Sequence, residues 1–305
     1  MLELSLLGTS GVMPLPDRYL TSLYIKYNGK KLLIDCGEAT QMSIKELGWG
    51  YKNLEVICLT HYHGDHITGL PGILFMLENT GRTKPLTIVG PPGLKKVITS
   101  FTELYGKVPY EINLMELEMK PQVVNIGDFT INVVPANHKV LCFGYVIEVV
   151  RKPRFDMKKA TKNKVPRKYW KSLQNNETIT QNNKTYTPDM VLGQIRKGIK
   201  VSYITDTRPT KEIQQAIKDS DLFIGECMYV DKDYIEQVEK NKHMLGVEAA
   251  QLAKKSKCKE LWLTHFSPAI TREGKIDITP VKKIFKNTSL GKDRKIVRIC
   301  FESDD

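Results

Sequence analysis

The chain has 305 residues, of which 41% are hydrophobic and 26% charged, proportions typical of a globular protein with room for one large α/β domain or two smaller ones. It lacks both an apolar run long enough for a membrane helix and the basic, apolar leader of a signal peptide, so we expect a cytoplasmic protein without a membrane span. Its six scattered cysteines form no CxxC pair, which favours reduced thiols over a disulfide framework.

Up to residue 150 the hydrophobic pattern mainly predicts strands. Residues 20–37 are typical of a hairpin, because two β-type runs flank an Asn28-Gly29 turn. The continuous apolar run 54–60 predicts a buried strand that ends at a cluster of histidines. The other elements predicted in this half are a helix over 67–81, a strand and turn over 85–93, a helix over 94–106, and strands over 129–138 and 144–150.

Strands and helices alternate in the last third of the chain. The predicted elements are strands over 200–207, 221–229 and 260–267, and helices over 211–220, 247–257 and 281–287. This order predicts a single layered α/β domain over residues 1–305, in which loops at one edge of the sheets build the functional site.

Residues 151–199 interrupt that pattern. The stretch 151–200 has 14 basic and 3 acidic residues, a net charge of +11, whereas the other 255 residues have 32 basic and 31 acidic, a net charge of +1. The segment has few aliphatic residues and three prolines, so we interpret it as an insertion that projects from the body, with a short helix near 167–174. Its charge indicates a polyanionic partner, such as nucleic acid or an anionic membrane.

Half of the six histidines lie in one stretch, THYHGDHITGLPG. His61 and His63 are two residues apart, so in an extended segment both side chains point the same way and can reach one ion. Gly64 allows a sharp turn, after which Asp65 and His66 can face a second ion. Imidazole and carboxylate are ligands that zinc-like metals prefer, so this HxHxDH order predicts a dinuclear metal site rather than polar residues at a strand end.

Four further candidates follow or flank predicted strands: His138, Asp206, His243 and His265. Taken singly, each is compatible with a polar residue at a strand end, and Asp206 also with a helix cap or a turn. His243 is equally compatible with a solvated histidine at the start of a helix. Added to the HxHxDH stretch, these residues complete the composition of a dinuclear site.

The sequence resembles the metallo-β-lactamase superfamily and, within it, the ribonuclease Z family of tRNA 3′-processing endonucleases. The resemblance rests, in chain order, on LGTSGVMPLPDR, LIDCGEATQ, LTHYHGDHITGLPG, IVGPPGL, PANHKVLCFGYVIE, TDTRP and LTHFS. HxHxDH is specific only for the superfamily. Four other motifs are more specific for this branch: GDHITGLPG, GPPGL, FGY and DTRP. The resemblance implies an α/β fold, a four-layer αβ/βα metallo-β-lactamase sandwich, that forms a homodimer and carries a protruding basic arm for tRNA. Residues 151–199 lie where that arm belongs.

The resemblance also implies roles for the candidate residues. The implied ligands are His61, His63 and His138 for one zinc ion, Asp65, His66 and His265 for a second, and Asp206 as the bridge. Two zinc ions per chain are expected, with manganese or another divalent metal as the alternative. Asp65 would also orient the attacking hydroxide, and His243 would donate a proton to the leaving oxygen. The implied reaction cleaves precursor tRNA on the 3′ side of the discriminator nucleotide and leaves a 3′-hydroxyl on the tRNA.

In the arm, basic residues would contact phosphates while aromatic residues stack on bases. The candidate RNA-binding residues are Arg154, Lys158, Lys159, Lys162, Lys164, Arg167, Lys168, Trp170, Lys171 and, outside the arm, Arg208. The alternative for the arm is a solvated loop whose aromatic residues pack on one another. The alternative for Arg208 is an ion pair with a local acid.

Two other functions compete with this interpretation. A small-molecule phosphodiesterase or another hydrolase of the same superfamily would use the same ligands, but it has no need of an arm with a net charge of +11. A non-catalytic RNA-binding protein could keep the metals for structure. The intact ligand set argues against that possibility, because structural zinc sites are usually closed and mononuclear.

Overall fold

The computed structural model describes residues 1–271 and 275–302, so the predicted domain 1–305 extends beyond the described residues at 272–274 and 303–305. In chain order, the strands are β1 (Leu2–Gly8), β2 (Ser22–Tyr27), β3 (Lys30–Ile34), β4 (Leu54–Cys58), β5 (Leu86–Gly90), β6 (Ile112–Glu116), β7 (Gln122–Ile126), β8 (Phe129–Pro135), β9 (Phe143–Arg151), β10 (Ile179–Gln181), β11 (Lys184–Tyr186), β12 (Arg196–Ile204), β13 (Leu222–Glu226), β14 (Leu261–Thr264), β15 (Thr288–Leu290) and β16 (Ile296–Ile299).

The helices, in chain order, are α1 (Thr40–Leu47), α2 (Gly64–Ile67), α3 (Leu70–Asn79), α4 (Leu94–Tyr105), α5 (Met157–Lys162), α6 (Trp170–Gln174), α7 (Lys211–Ala216), α8 (Ile235–Asn241), α9 (Gly246–Lys255), α10 (Pro268–Thr271) and α11 (Thr279–Ile284). Within the described residues, no helix combines the length and the apolar character that a membrane crossing requires. All six cysteines are unpaired and five of them are buried, as the sequence predicts.

Two seven-stranded sheets form the centre of the fold. Their strand orders are β16-β1-β2-β3-β4-β5-β6 and β15-β14-β13-β12-β9-β8-β7. Strands β3 to β6 run parallel to one another, and so do strands β12 to β15. Because the carboxyl ends of parallel strands meet at the same edge of a sheet, the loops after β12 and β14 leave the second sheet at the same edge, on either side of β13. The fold therefore gathers loops from distant parts of the chain.

Helices cover one face of each sheet. Ile44 of α1, Ile73 of α3 and Leu94 of α4 are fully buried in one apolar cluster with the first sheet. Ile213 of α7 and Ala249 of α9 are fully buried in another cluster with the second sheet. The layers are thus helix, sheet, sheet and helix, which is the four-layer αβ/βα sandwich that the sequence predicts.

The predicted hairpin at the start of the chain is confirmed, whereas one predicted helix is divided. Asn28 and Gly29 have φ of 49° and 76°, the left-handed values that a tight hairpin turn requires. The helix predicted over 67–81 begins only at Leu70, after the separate single turn α2. At Gly69 an added Cβ would lie 2.0 Å from the carbonyl oxygen of Gly37, so the chain passes too close there for any larger residue.

Residues 150–198, together with Phe301 and Glu302, form a second compact unit, called here the basic unit. The short helix predicted near 167–174 is confirmed, as a 3₁₀ turn over Arg167–Tyr169 that continues into α6. The unit also contains the hairpin β10–β11, which the sequence analysis missed. It has a small apolar core of its own, formed by Ala160, Val165, Leu173, Tyr186, Val191 and Leu192.

Candidate metal centre

The predicted ligands lie just beyond the carboxyl ends of strands from both sheets. They are His61, His63, Asp65 and His66 after β4, His138 after β8, Asp206 after β12 and His265 after β14. Asp206 and His265 have φ of 49° and 58°, left-handed values that residues other than glycine adopt rarely. Backbone strain of this kind is concentrated at functional sites, because the surrounding structure must hold it in place.

Three imidazoles converge on one side of the centre. His63 Nδ1 lies 2.9 Å from His61 Nε2 and 3.4 Å from His138 Nε2. The three residues offer nitrogens that all lie within 4.8 Å of one another. This spacing suits a single metal ion with three nitrogen ligands. The structure therefore brings together the three residues predicted for the first ion.

A second group combines one carboxylate with two imidazoles. His265 Nε2 lies 3.3 Å from Asp65 Oδ2 and 3.3 Å from His66 Nε2. His66 Nε2 lies 3.6 Å from Asp65 Oδ2. The backbone N–H of Val12 donates a hydrogen bond of 2.9 Å to the same carboxylate oxygen, which fixes its position. These are the three residues predicted for the second ion.

Asp206 lies between the two groups. Its Oδ1 is 4.0 Å from the Nε2 atoms of both His61 and His138, and its Oδ2 is 3.2 Å from His66 Nε2 and 3.4 Å from His265 Nε2. The side chain is 2% exposed, yet Oδ2 has no partner with hydrogen-bond geometry among the described residues. Because a buried carboxylate oxygen without a hydrogen bond is costly, this atom fits a position beside a cation, and the donor set around it is one that zinc prefers.

The Nδ1 atoms of two histidine rings, which face away from the other candidate ligands, are also contacted by the protein. Asp35 is fully buried, and its Oδ2 lies 2.8 Å from His66 Nδ1. Its Oδ1 accepts hydrogen bonds from the backbone N–H and the hydroxyl of Thr60, and that hydroxyl is 3.0 Å from His61 Nδ1. Contacts of this kind fix the ring orientation and leave Nε2 free to bind a metal. Asp35 was not among the predicted site residues, although it lies in the motif LIDCGEATQ.

Glu226 was also missed, and it joins His243 to the centre. Its Oε1 is 2.6 Å from His243 Nδ1 and 3.1 Å from His265 Nδ1, while its Oε2 accepts a hydrogen bond of 2.9 Å from the N–H of Met244. Burial opposes a charge on His243, but the adjacent Glu226 raises its pKa above the ordinary value. His243 is thus a partly exposed imidazole whose Nδ1 is engaged and whose charged form the adjacent Glu226 favours.

Burial and neighbouring carboxylates shift the pKa values of the histidines in the centre in opposite directions. Burial opposes the charged form of His265, but Asp206 raises the pKa of His265 to about 10. Burial likewise opposes a charge on His66, whose pKa is held well above its ordinary value by Asp206 and Asp35. For His61, burial dominates and lowers the pKa. Because the pKa values of His265 and His66 are raised, a metal ion that binds at the centre competes with protons for these two rings.

Arg208 makes the local ion pair that the sequence offered as the alternative to a phosphate contact. Its guanidinium pairs with both carboxylate oxygens of Glu248, at 2.8 and 2.5 Å, and also donates to the carbonyl oxygen of His243 at 2.7 Å. A two-pronged pair of this kind satisfies most of the donors on one side of a guanidinium. The structure supports the alternative of a local ion pair, which here also fixes the backbone that carries His243.

The candidate RNA-binding residues of the basic unit divide into two groups. The exposed ones are Arg154, Lys158, Lys162, Lys164, Arg167, Lys168 and Lys171. Lys159 is only half-buried, and its Nζ donates to the carbonyl oxygen of Leu192. Trp170 packs on Phe155, with ring centroids 4.9 Å apart, and its Nε1 donates to the carbonyl oxygen of Val165. The ring of Trp170 is partly buried against the small core, so its predicted stacking on RNA stays a prediction.

Comparison with known proteins shows similarity over the whole chain. The chain is 46% identical to a ribonuclease Z of Lachnoclostridium phytofermentans over 305 residues and 49% identical to one of Clostridium acetobutylicum over 310 residues, each with 100% of both chains covered. A profile of the family described as Anti-Pycsar protein Apyc1 matches residues 2–148.

Solved structures show the same fold at lower identity. The crystal structure of the short form of human tRNase Z has a TM-score of 0.70 and 21% identity, with 98% of this chain and 100% of that chain covered. The metallo-β-lactamase fold protein YhfI from Bacillus subtilis has a TM-score of 0.67 and 22% identity, with 97% and 98% covered.

The sandwich and the clustered histidines and aspartates define a metallo-β-lactamase fold protein with a candidate metal centre. The identity over the full length then specifies the branch. The chain belongs to the ribonuclease Z family. It is a metal-dependent endoribonuclease.

Proposed function

We propose that the chain cleaves precursor tRNA on the 3′ side of the discriminator nucleotide, leaving a 3′-hydroxyl on the tRNA and a 5′-phosphate on the trailer. The observation that carries this proposal is the placement of Asp206, which turns one carboxylate oxygen toward each group of candidate ligands. A carboxylate placed in this way suits two metal ions held close together, the arrangement used for phosphodiester cleavage. Membership of the ribonuclease Z family supports tRNA as the substrate.

The seven predicted ligands would hold two zinc ions per chain, with manganese or another divalent metal as the alternative. Bound together, two such ions supply a nucleophile at neutral pH and neutralise charge on the phosphate. The imidazole and carboxylate ligands suit zinc, and the protein contacts on the far nitrogens of His61 and His66 suit rings held for metal binding.

Asp65 is proposed to orient the attacking group. Its Oδ2 accepts a hydrogen bond from Val12 N and lies beside His265 Nε2, so this oxygen is fixed from two sides. The pKa of Asp65 is far below its ordinary range, because His265 and His66 outweigh the effect of burial. A carboxylate that stays ionised can accept a hydrogen bond from the nucleophile throughout the reaction.

His243 is proposed to donate a proton to the departing 3′-oxygen. Glu226 engages Nδ1 of His243 and favours the protonated ring, so the proton on Nε2 is the one available for transfer. His243 also has Arg208 bonded to its own carbonyl oxygen, which limits movement of its backbone. General acids of this kind accelerate reactions by about 10²–10⁴-fold.

The exposed basic residues of the basic unit are proposed to bind the phosphates of tRNA. Lys158, Lys162 and Lys171 are exposed members of a stretch that concentrates a net charge of +11. Such a concentration of like charge repels itself unless it meets a polyanion. We also propose that the protein acts in the cytoplasm and that it forms a homodimer. Light scattering of the purified protein would test the homodimer.

The test is cleavage of a 5′-labelled precursor tRNA with and without a chelator. We expect one product that ends at the discriminator nucleotide with a 3′-hydroxyl, formed only when divalent metal is present. Cleavage of small phosphodiesters without cleavage of tRNA would instead favour a small-molecule phosphodiesterase. Binding of tRNA without any cleavage would favour a non-catalytic RNA-binding protein.

A further inference from the structure

The loop between β1 and β2 lies directly against the candidate metal centre. The N–H of Val12 donates to Asp65 Oδ2 at 2.9 Å, and the N–H of Gly11 donates to the carbonyl oxygen of Phe266 at 3.0 Å. An added Cβ at Gly11 would lie 2.7 Å from the ring of His265, so the backbone passes against that ring with no room for a side chain. The loop therefore touches two residues of the centre.

The conformation of this loop is strained. Val12 has a φ of 70°, a left-handed value that a β-branched residue strongly disfavours. Its side chain is 62% exposed, so packing of the side chain does not hold it there. A strained backbone persists only where its surroundings hold it in place. The orientation of the Val12 N–H toward Asp65 therefore depends on contacts made elsewhere in the loop.

Asp293, in the segment between β15 and β16, connects the two ends of the loop. Its Oδ1 accepts a hydrogen bond of 2.7 Å from the hydroxyl of Thr9, and its Oδ2 accepts one of 2.6 Å from the backbone N–H of Tyr19. Thr9 and Tyr19 precede and follow the residues that reach the centre. Arg18 adds a hydrogen bond to the same hydroxyl at 2.7 Å and another to the carbonyl oxygen of Gly291 at 3.2 Å.

We propose that Asp293 is a positioning residue, which clamps both ends of the loop so that the N–H of Val12 stays aimed at Asp65. The role of Asp65 in this inference rests on the proposed function, whereas the clamp itself does not. The side chain of Asp293 is 2% exposed, and it receives two hydrogen bonds that charge on the carboxylate strengthens. Closing a short loop at both ends removes most of its freedom to relax the strain at Val12.

The test uses Asp293→Asn and Thr9→Val, with Asp128→Asn as the control. An amide offers one acceptor oxygen where the carboxylate offers two, and Thr9→Val removes one donor with little change in shape. Asp128 is an exposed carboxylate in the β7–β8 turn, with Lys30 Nζ 4.0 Å away. Two quantities are measured in each variant: hydrogen exchange at the amides of residues 9–19, and kcat and KM for a small phosphodiester, bis(p-nitrophenyl) phosphate.

We expect exchange at Val12 to become at least about tenfold faster in both clamp variants, while the strands of the two sheets keep their protection. The kcat should fall about tenfold, and KM should change by less than twofold, because substrate contacts remain while Asp65 loses its support. The Asp128→Asn control should match the unmodified protein in both measurements.

Two results would overturn the proposal. One is unchanged exchange at Val12 in both clamp variants, and the other is faster exchange with unchanged kcat. If Asp293→Asn does not fold, Thr9→Val alone decides by the same criteria, because it leaves the buried carboxylate in place. If the unmodified protein cleaves neither precursor tRNA nor the small phosphodiester, the proposed function fails, and exchange at Val12 alone decides whether the clamp exists.

Discussion

The candidate metal centre and the basic unit differ in how each is held together. The centre consists mostly of buried side chains at strand ends, whose far sides are bonded to buried acids such as Asp35 and Glu226. The basic unit presents exposed lysines around a core of six residues. The first arrangement fixes the geometry that chemistry needs, whereas the second displays charge that acts over a distance.

This difference implies that the two regions control different quantities. Changes in the centre should alter the rate of the chemical step and the metal content, with little effect on the salt dependence of binding. Changes in the basic unit should alter the affinity for a polyanion and its salt dependence, with little effect on the chemistry of a small substrate. The predictions below test this separation.

The largest expected effect is that of Asp206→Asn. The substitution keeps the size of the side chain and tolerates the left-handed φ of 49°, but it removes the charge between the two ligand groups. Metal content should fall below two ions per chain, and cleavage should fall at least about 100-fold, beyond what removal of an outer hydrogen-bond partner causes. Asp219→Asn is the matched control, because Asp219 is exposed and has a similar φ of 57°. Retention of two ions and near-normal cleavage would show that Asp206 is not a ligand.

The next effect concerns the basic unit. Replacement of residues 155–195 by a short Gly/Ser linker should leave hydrolysis of a small phosphodiester within a few fold, because that reaction uses only the centre. Cleavage of precursor tRNA should collapse through weaker binding. A milder variant, in which Lys158, Lys162 and Lys171 become Gln, should make the slope of log K against log salt shallower by about 0.7–0.9 for each phosphate that the protein no longer neutralises. Equal tRNA affinity and equal slope in all forms would exclude the basic unit as the RNA-binding element.

A smaller effect is expected for His243→Ala. The variant should keep two metal ions yet lower the single-turnover rate of cleavage at least about tenfold, because a proton donor is removed while the ligands remain. Glu226→Gln provides the contrast, because Glu226 contacts both His243 and His265. That variant should lower the metal content as well as the rate. A fall in metal content in His243→Ala would instead identify His243 as a ligand.

The sequence singles out the residues that the structure brings together, because they are close in sequence or lie at strand ends. The HxHxDH stretch follows an apolar strand, and His138, Asp206 and His265 each follow another, so a layered fold must bring them to its edges. Glu226 has the same strand-end position but nothing near it in the sequence to mark it. It ends the apolar strand β13 as a single acid, and its partners lie 17 and 39 residues further along the chain. Only the tertiary fold shows that two histidines meet it there.

The secondary structure shows the same limit: elements with a strong local pattern were predicted, and elements without one were missed. Buried strands such as β4 and β5 were predicted, because a continuous apolar run has few other interpretations. The edge strands β6, β7 and β16 were missed, because they are short, most of their residues are not buried, and none is a continuous apolar run. Helix α1 was missed because its N-cap, Ala39, has a left-handed φ of 67° and provides no side-chain cap.

The smallest expected effect is that of Trp170→Leu, which tests whether this ring belongs to the small core of the basic unit or to its RNA-binding surface. If Trp170 belongs to the small core, Trp170→Leu should change tRNA affinity by less than about twofold, since the exposed lysines remain in place. A ring that stacks on a base contributes about 1–3 kcal/mol, so its removal would weaken binding by about five- to 150-fold. The loss of the hydrogen bond from Trp170 Nε1 to Val165 should cost about 1 kcal/mol of local stability, visible as faster hydrogen exchange in residues 157–174. Affinity and exchange measured on the same variant therefore distinguish the two roles: faster exchange with unchanged affinity assigns the ring to the core, and weaker binding with unchanged exchange assigns it to the RNA.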